Sequence, residues 1–127
     1  NRNIPTSNWT SEFKNPRYKP GSHAGSESET ESFLTAFRES RPDLVISLHS
    51  FEKSLLLYHS ANGEYDSLVN FLSSSLEIPV VSKMDYEITG SLNTLGKETQ
   101  TPILTVEAPR AGARGAGASG APHLSPE

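Results

Sequence analysis

Two short apolar runs set close together, Asp43-Leu-Val-Ile-Ser-Leu-His-Ser50 and Leu55-Leu-Leu-Tyr58, constrain this chain more than any other feature. The first is opened by Pro42-Asp43 and closed by polar residues. A run of that length and make-up suits a β-strand covered on both faces rather than an amphipathic helix. It carries His49 to the edge of a sheet, where the strand ends. In open α/β sheets ligands and catalytic groups gather beyond the carboxyl ends of strands, so an imidazole there can meet a metal or a substrate. A histidine after an apolar run also has a plain structural reading, capped by a backbone partner.

The segments around these runs alternate in type. Residues 27–40 read as a helix, with overlapping capping signatures Ser26-x-x-Glu29 and Ser28-x-x-Glu31 and acidic residues in the first turn, where they suit the positive end of the helix dipole. Phe33, Leu34 and Phe37 recur at helical spacing and face the sheet; Glu27, Glu29 and Glu31 form a solvated face, not a metal cluster. Asn62-Gly63 marks a turn before a second helix with Tyr65, Leu68, Val69, Leu72 and Leu76 on one face. Ile78-Pro-Val-Val81 is a short apolar segment. Gly90 breaks the chain before a shorter helical stretch with Leu92 and Leu95, and residues 103–108 make the last strand. This alternation predicts an α/β fold: a mixed, largely parallel sheet with helices on its faces. Residues 1–25, rich in Asn, Pro, Ser and Lys, have no periodicity and read as an ordered loop pinned by Trp9, Phe13 and Tyr18, either a sign of a site nearby or a surface excursion.

Composition narrows the function. The net charge is −4 and the eleven basic residues are scattered, which argues against a nucleic-acid surface. The absence of cysteine excludes disulfides and thiolate metal sites, while leaving the compartment open. No apolar run is long enough to span a bilayer. Oligomeric state has no sequence signal. From Arg110 an Ala/Gly-rich run cannot offset its ordering entropy, so residues 110–127 are expected to be a disordered tail, His123 included, and residues 1–109 the folded part.

Glu107, at the end of an otherwise apolar strand, is the second residue able to carry chemistry. A carboxylate there is costly to bury unless it is paired, metal-bound or near water in a cleft; the bland alternative is a salt bridge, to Arg110 for example.

Five segments, in order, resemble the zinc metallocarboxypeptidases of the carboxypeptidase A type. Asn1-Arg-Asn-Ile-Pro-Thr-Ser-Asn-Trp9 looks like the family's Asn-Arg-Asn-Phe-Pro-x-x-Asn-Trp, and Gly25-Ser-Glu-Ser-Glu-Thr30 like the helix start of many bacterial members. Leu48-His-Ser50 is similar to the segment supplying the third zinc ligand. Tyr86-Glu-Ile-Thr-Gly-Ser-Leu92 is similar to the substrate loop of the bacterial peptidoglycan-peptide branch, and Leu104-Thr-Val-Glu-Ala-Pro109 to the strand bearing the catalytic glutamate. The resemblance implies a zinc-dependent hydrolase acting on an amide bond in peptides with a free carboxylate end, peptidoglycan stem peptides foremost, in a bacterium and either in the cytoplasm or the periplasm. It further implies that His49, through Nε2 or Nδ1, binds Zn²⁺, that Glu107 is the general base, that Arg2 with Asn1 holds the terminal carboxylate of the peptide substrate, and that Tyr86 closes over it.

The family takes two further zinc ligands from a His-x-x-Glu motif upstream of its Asn-Arg pair, and no His-x-x-Glu occurs in these 127 residues. The chain therefore reads as the carboxyl-terminal half of a catalytic domain, inactive alone, with the tail standing in place of the family's closing helix. Two other readings stay open: a noncatalytic carboxylate-binding module without metal, and a plain structural α/β domain in which His49 and Glu107 are each internally satisfied.

Overall fold

Both apolar runs are strands, and what joins them decides the architecture. In the computed structural model, which describes residues 2–109, the elements are α1 (Ser28–Ser40), β1 (Val45–Phe51), β2 (Leu55–His59), α2 (Asp66–Leu76), β3 (Val80–Val81), α3 (Leu92–Thr99) and β4 (Ile103–Pro109). Residues 52–54 turn the chain back, yet β1 and β2 do not pair. A strand's width is left between them, and β4 fills it, giving the order β1-β4-β2-β3. The three-residue link has to bridge two inter-strand spacings, roughly 10 Å, within reach of a nearly extended chain. β4 runs parallel to β1 and antiparallel to β2, and β2 runs parallel to β3. The sheet is thus mixed and largely parallel, as the alternation of segments implies.

The two inner strands, β4 and β2, are the most deeply buried. On one face Leu104 and Val106 of β4 pack with Leu56, Tyr58 and Val69, the last from α2; Leu56 and Leu104 are fully enclosed. On the opposite face α1 and α3 meet the amino-terminal segment through Leu34, Leu95 and Ile4, with Phe33, Phe37 and Leu92 against them. Helices therefore cover both faces. α3 approaches β4 closely because residue 96 is glycine: a Cβ there would come within 2.3 Å of Ile103 Cγ1.

Several expectations fail at the periphery. β1 lies at the edge of the sheet and α2 covers β2 and β3 instead, so Ile46 and Leu48 are 55% and 80% exposed rather than buried on both faces. The capping signatures of α1 are not used as written. Glu27 is the N-cap and makes no side-chain capping bond. The Ser26 hydroxyl is engaged with Asn3 Nδ2 and the Ser22 amide, and the Glu27 amide donates to Asn3 Oδ1. A tertiary contact has replaced the local one. Of the five residues assigned to one face of the second helical segment, Val69 is buried and Tyr65 and Leu72 pack on the core, but Leu68 and Leu76 stay exposed.

Of the three aromatics, Trp9 is packed against residue 90 and its indole nitrogen is buried, but the far end of the long loop is ordered by Asn3 instead. Phe13 and Tyr18 are both 46% exposed. Asn3, buried, donates from Nδ2 to the carbonyls of Pro20 and His23 at 2.7 and 2.9 Å, pinning the far end of the loop. A 3-10 turn, Pro16–Tyr18, capped by Asn15, presents Tyr18. The tail 110–127 and Asn1 lie outside the described residues.

Candidate active site

The parallel register of β1 and β4 sets His49 directly beside Glu107. Strand partners in register project to the same face, so residues 58 positions apart share one side of the sheet. His49 Nδ1 is 3.9 Å from Glu107 Oε1, and the two side chains are 43% and 12% exposed: the carboxylate is recessed and the imidazole opens onto a cleft. His49 Nε2 shares a 3.0 Å hydrogen bond with Ser47 Oγ, two residues back on the same face. Of the ring's two nitrogens, Nδ1 is therefore the one turned toward Glu107.

Arg2 reaches the same cleft from the amino-terminal segment. Its Nη1 donates to the Glu87 carbonyl at 3.4 Å, and its guanidinium lies over the Tyr18 ring, 5.2 Å from the centroid. The segment itself is clasped to residues 86–90: Ile4 N–H donates to the Gly90 carbonyl at 3.0 Å, Gly90 N–H to Asn8 Oδ1 at 3.2 Å, and Asn8 Nδ2 to the Ile88 carbonyl at 3.3 Å. Gly90 is indispensable to that clasp, with φ +58° and a would-be Cβ only 2.2 Å from the Arg2 carbonyl oxygen. Tyr86, held by the same loop, has its phenol raised above the ordinary value by burial and by the negative charge of Glu107, with Arg2 pulling the other way. The ring is 44% exposed, so solvent screens much of that influence.

These groups line one open cleft of about 1070 Å³. Arg2, Tyr86, His49 and Glu107, singled out from the sequence, all face it; Asn1 lies outside the described residues, as does Arg110, the alternative partner for Glu107. The sequence names Tyr18 only as an aromatic pinning the loop, and Ser47 and Asn93 are not singled out by it. Ser47 could have been found, because the two-residue period of a strand puts it on the face of His49. Asn93 donates to Thr105 Oγ1 at 3.3 Å from the first turn of α3, and nothing in the sequence marks it. Tyr18 comes from an aperiodic loop.

The donor set bears on a metal. Among the described residues no group of three His, Cys, Asp or Glu side chains converges, whereas a catalytic zinc takes three protein ligands and keeps a further position open. One imidazole beside one carboxylate can share a proton or orient a water, and is an incomplete zinc cage.

No family model matches the chain. It is 28% identical over 120 residues to murein peptide amidase A of Vibrio campbellii (strain ATCC BAA-1116), a match covering 86% of this chain and 46% of that protein. It also superposes on the crystal structure of the murein-tripeptide amidase of Escherichia coli O157 with a TM-score of 0.71 and 25% sequence identity, covering 89% of this chain and 50% of that one. The chain is homologous to the carboxyl-terminal part of murein peptide amidase A and shares its mixed α/β fold. It spans about half the length of the relatives it matches.

Proposed function

We propose that a chain homologous to murein peptide amidase A forms the substrate-facing part of a peptide amidase, acting on an amide bond in a peptide with a free carboxylate end, a peptidoglycan stem peptide in particular. The observation that carries this reading is the meeting of His49 and Glu107, distant in sequence, in one cleft with Arg2.

Arg2 grips the terminal carboxylate, for which a guanidinium offers a planar, two-pronged donor, and Asn1, its neighbour in the sequence, is the second residue assigned to that carboxylate. Glu107 takes a proton from the attacking water as its oxygen bonds to the carbonyl carbon. The same proton then passes to the nitrogen as the C–N bond breaks, freeing the amine. Tyr86 closes over the bound peptide from the loop it shares with Gly90.

His49 offers one donor for zinc, which when bound polarises a carbonyl and acidifies water. The remaining donors are not among the described residues. The chain by itself is accordingly inactive: adding zinc to it yields no chelator-sensitive hydrolysis of a tripeptide with a free carboxyl end, and robust hydrolysis in that assay sinks the reading. In a polypeptide that supplies the missing donors, Glu107→Gln lowers turnover by about a thousandfold while zinc stays bound, in line with the weight of general-base catalysis. Equal handling of free-acid and amidated peptides there removes Arg2 from its role.

The incomplete donor set favours one further reading, a noncatalytic module that keeps the carboxylate clamp without metal. Upstream sequence separates the two. A His-x-x-Glu ahead of Asn1 supports the amidase, and its absence supports the binder.

A further inference from the structure

Although the basic residues are scattered along the sequence, the acidic ones avoid its start. Residues 1–26 hold four of the eleven basic side chains and a single acid, Glu12, for a net charge of +3, which leaves −7 for the rest of the chain. Three of those four cations, Lys14, Arg17 and Lys19, sit in an unbroken run of exposed residues, 11–19, together with Phe13 and Tyr18, each 46% exposed. None of the three forms an ion pair among the described residues. The run is nevertheless held in shape. Asn15 Oδ1 accepts from the Arg17 amide at 2.9 Å, the Lys19 amide donates to the Pro16 carbonyl at 3.3 Å, and Asn3 holds the Pro20 carbonyl at 2.7 Å. A loop ordered in advance loses little freedom on docking.

Exposed aromatic rings flanked by cations without counter-charges suit the boundary between lipid headgroups and acyl chains, where the rings meet apolar depth and the cations meet phosphate. The same surface repels the acidic remainder of the chain, which fixes the orientation of the molecule upon it. We propose that residues 11–19 adsorb the protein to an anionic lipid surface, with Phe13 entering the headgroup layer and Lys14, Arg17 and Lys19 lying against lipid phosphates. Arg17, Tyr18 and Lys19 also line the main cleft, so adsorption turns the mouth of the cleft toward the bilayer. The contact is a surface one: no helix among the described residues is long and apolar enough to cross a membrane. A soluble polyanion offers the cations the same charges but gives Phe13 no apolar layer to enter, and that difference favours lipid. The proposal goes beyond the amidase reading and does not rest on it.

Co-sedimentation of the 127-residue chain with vesicles tests it, using phosphatidylcholine alone and phosphatidylcholine mixed with phosphatidylglycerol at low ionic strength. The partition coefficient onto the mixed vesicles exceeds that onto the neutral ones by about a hundredfold, since each basic residue held near an anionic surface contributes a factor of about five. The double variant Lys14→Gln, Lys19→Gln lowers it about twenty-five-fold. Phe13→Ser lowers it about fivefold, the weight of burying half a phenyl ring. All three residues are exposed, so the fold is retained and circular dichroism verifies it. Equal sedimentation with the two kinds of vesicle, or none with either, overturns the proposal. Insensitivity to Phe13→Ser, or binding to soluble polyphosphate as tight as to the mixed vesicles, identifies a soluble polyanion as the partner and overturns it as well. No peptide enters these measurements, so their failure leaves the amidase reading standing, and failure of the peptide assays leaves the adsorption standing.

Discussion

At the scale of single residues, the site depends on neighbours that hold its charged groups still. An arginine has many rotamers, and Arg2 is restrained by the Glu87 carbonyl on one side and the Tyr18 ring on the other. Stacking of this kind at a half-exposed site is worth about 0.5–1 kcal/mol. Tyr18→Leu should therefore weaken binding of free-acid peptides about threefold and leave amidated peptides unaffected, whereas Tyr18→Phe keeps the stack and the affinity; calorimetry on the same peptides decides it. Gly90→Ala should do far more damage. A left-handed backbone and a carbonyl 2.2 Å from the new methyl force the clasp open, at a cost of about 3 kcal/mol, visible as a lower urea midpoint together with lost peptide discrimination.

At the scale of elements, α3 is tied to the amino-terminal segment through Glu98, whose Oε1 accepts from the Ser7 amide at 2.8 Å and from the Ser7 hydroxyl. Those two bonds hold the Glu98 carboxyl below its ordinary value, the hydroxyl contributing more. A carboxyl depressed in the folded state stabilises at pH above its unfolded value and loses that contribution as the pH falls through the folded one. Cleavage by an acid-tolerant protease within residues 7–25 should accordingly rise as the pH drops below 4.5, and Glu98→Gln should flatten the dependence. Most elements were readable in advance because apolar spacing reports which face a segment can bury: Leu34 and Phe37 on α1, or Leu104 and Val106 on β4. Contacts made across the chain were not readable. Ser26 looked like a helix cap until Asn3 claimed its hydroxyl, and the loop reaching Tyr18 has no period at all. His49 and Glu107 could be nominated as strand-end residues, but their adjacency comes from β4 pairing with β1, a long-range choice that no local pattern encodes.

At the scale of the whole molecule, the outer edge of β1 has no strand partner among the described residues, and Leu48 beside it is 80% exposed. An open, apolar strand edge invites pairing with another chain. The sedimentation coefficient should rise with concentration, and Leu48→Lys should suppress the rise without altering peptide discrimination; identical profiles for the two proteins would falsify that. The same sheet order has a temporal side. β4 is made after both strands that flank it, so while a ribosome is still extending the chain, β1 and β2 can only wait with an empty lane between them. The nascent protein stays vulnerable until residue 109 has cleared the exit tunnel, and a chaperone that shields residues 45–59 during that interval would raise the yield of folded product more than one acting on any helix.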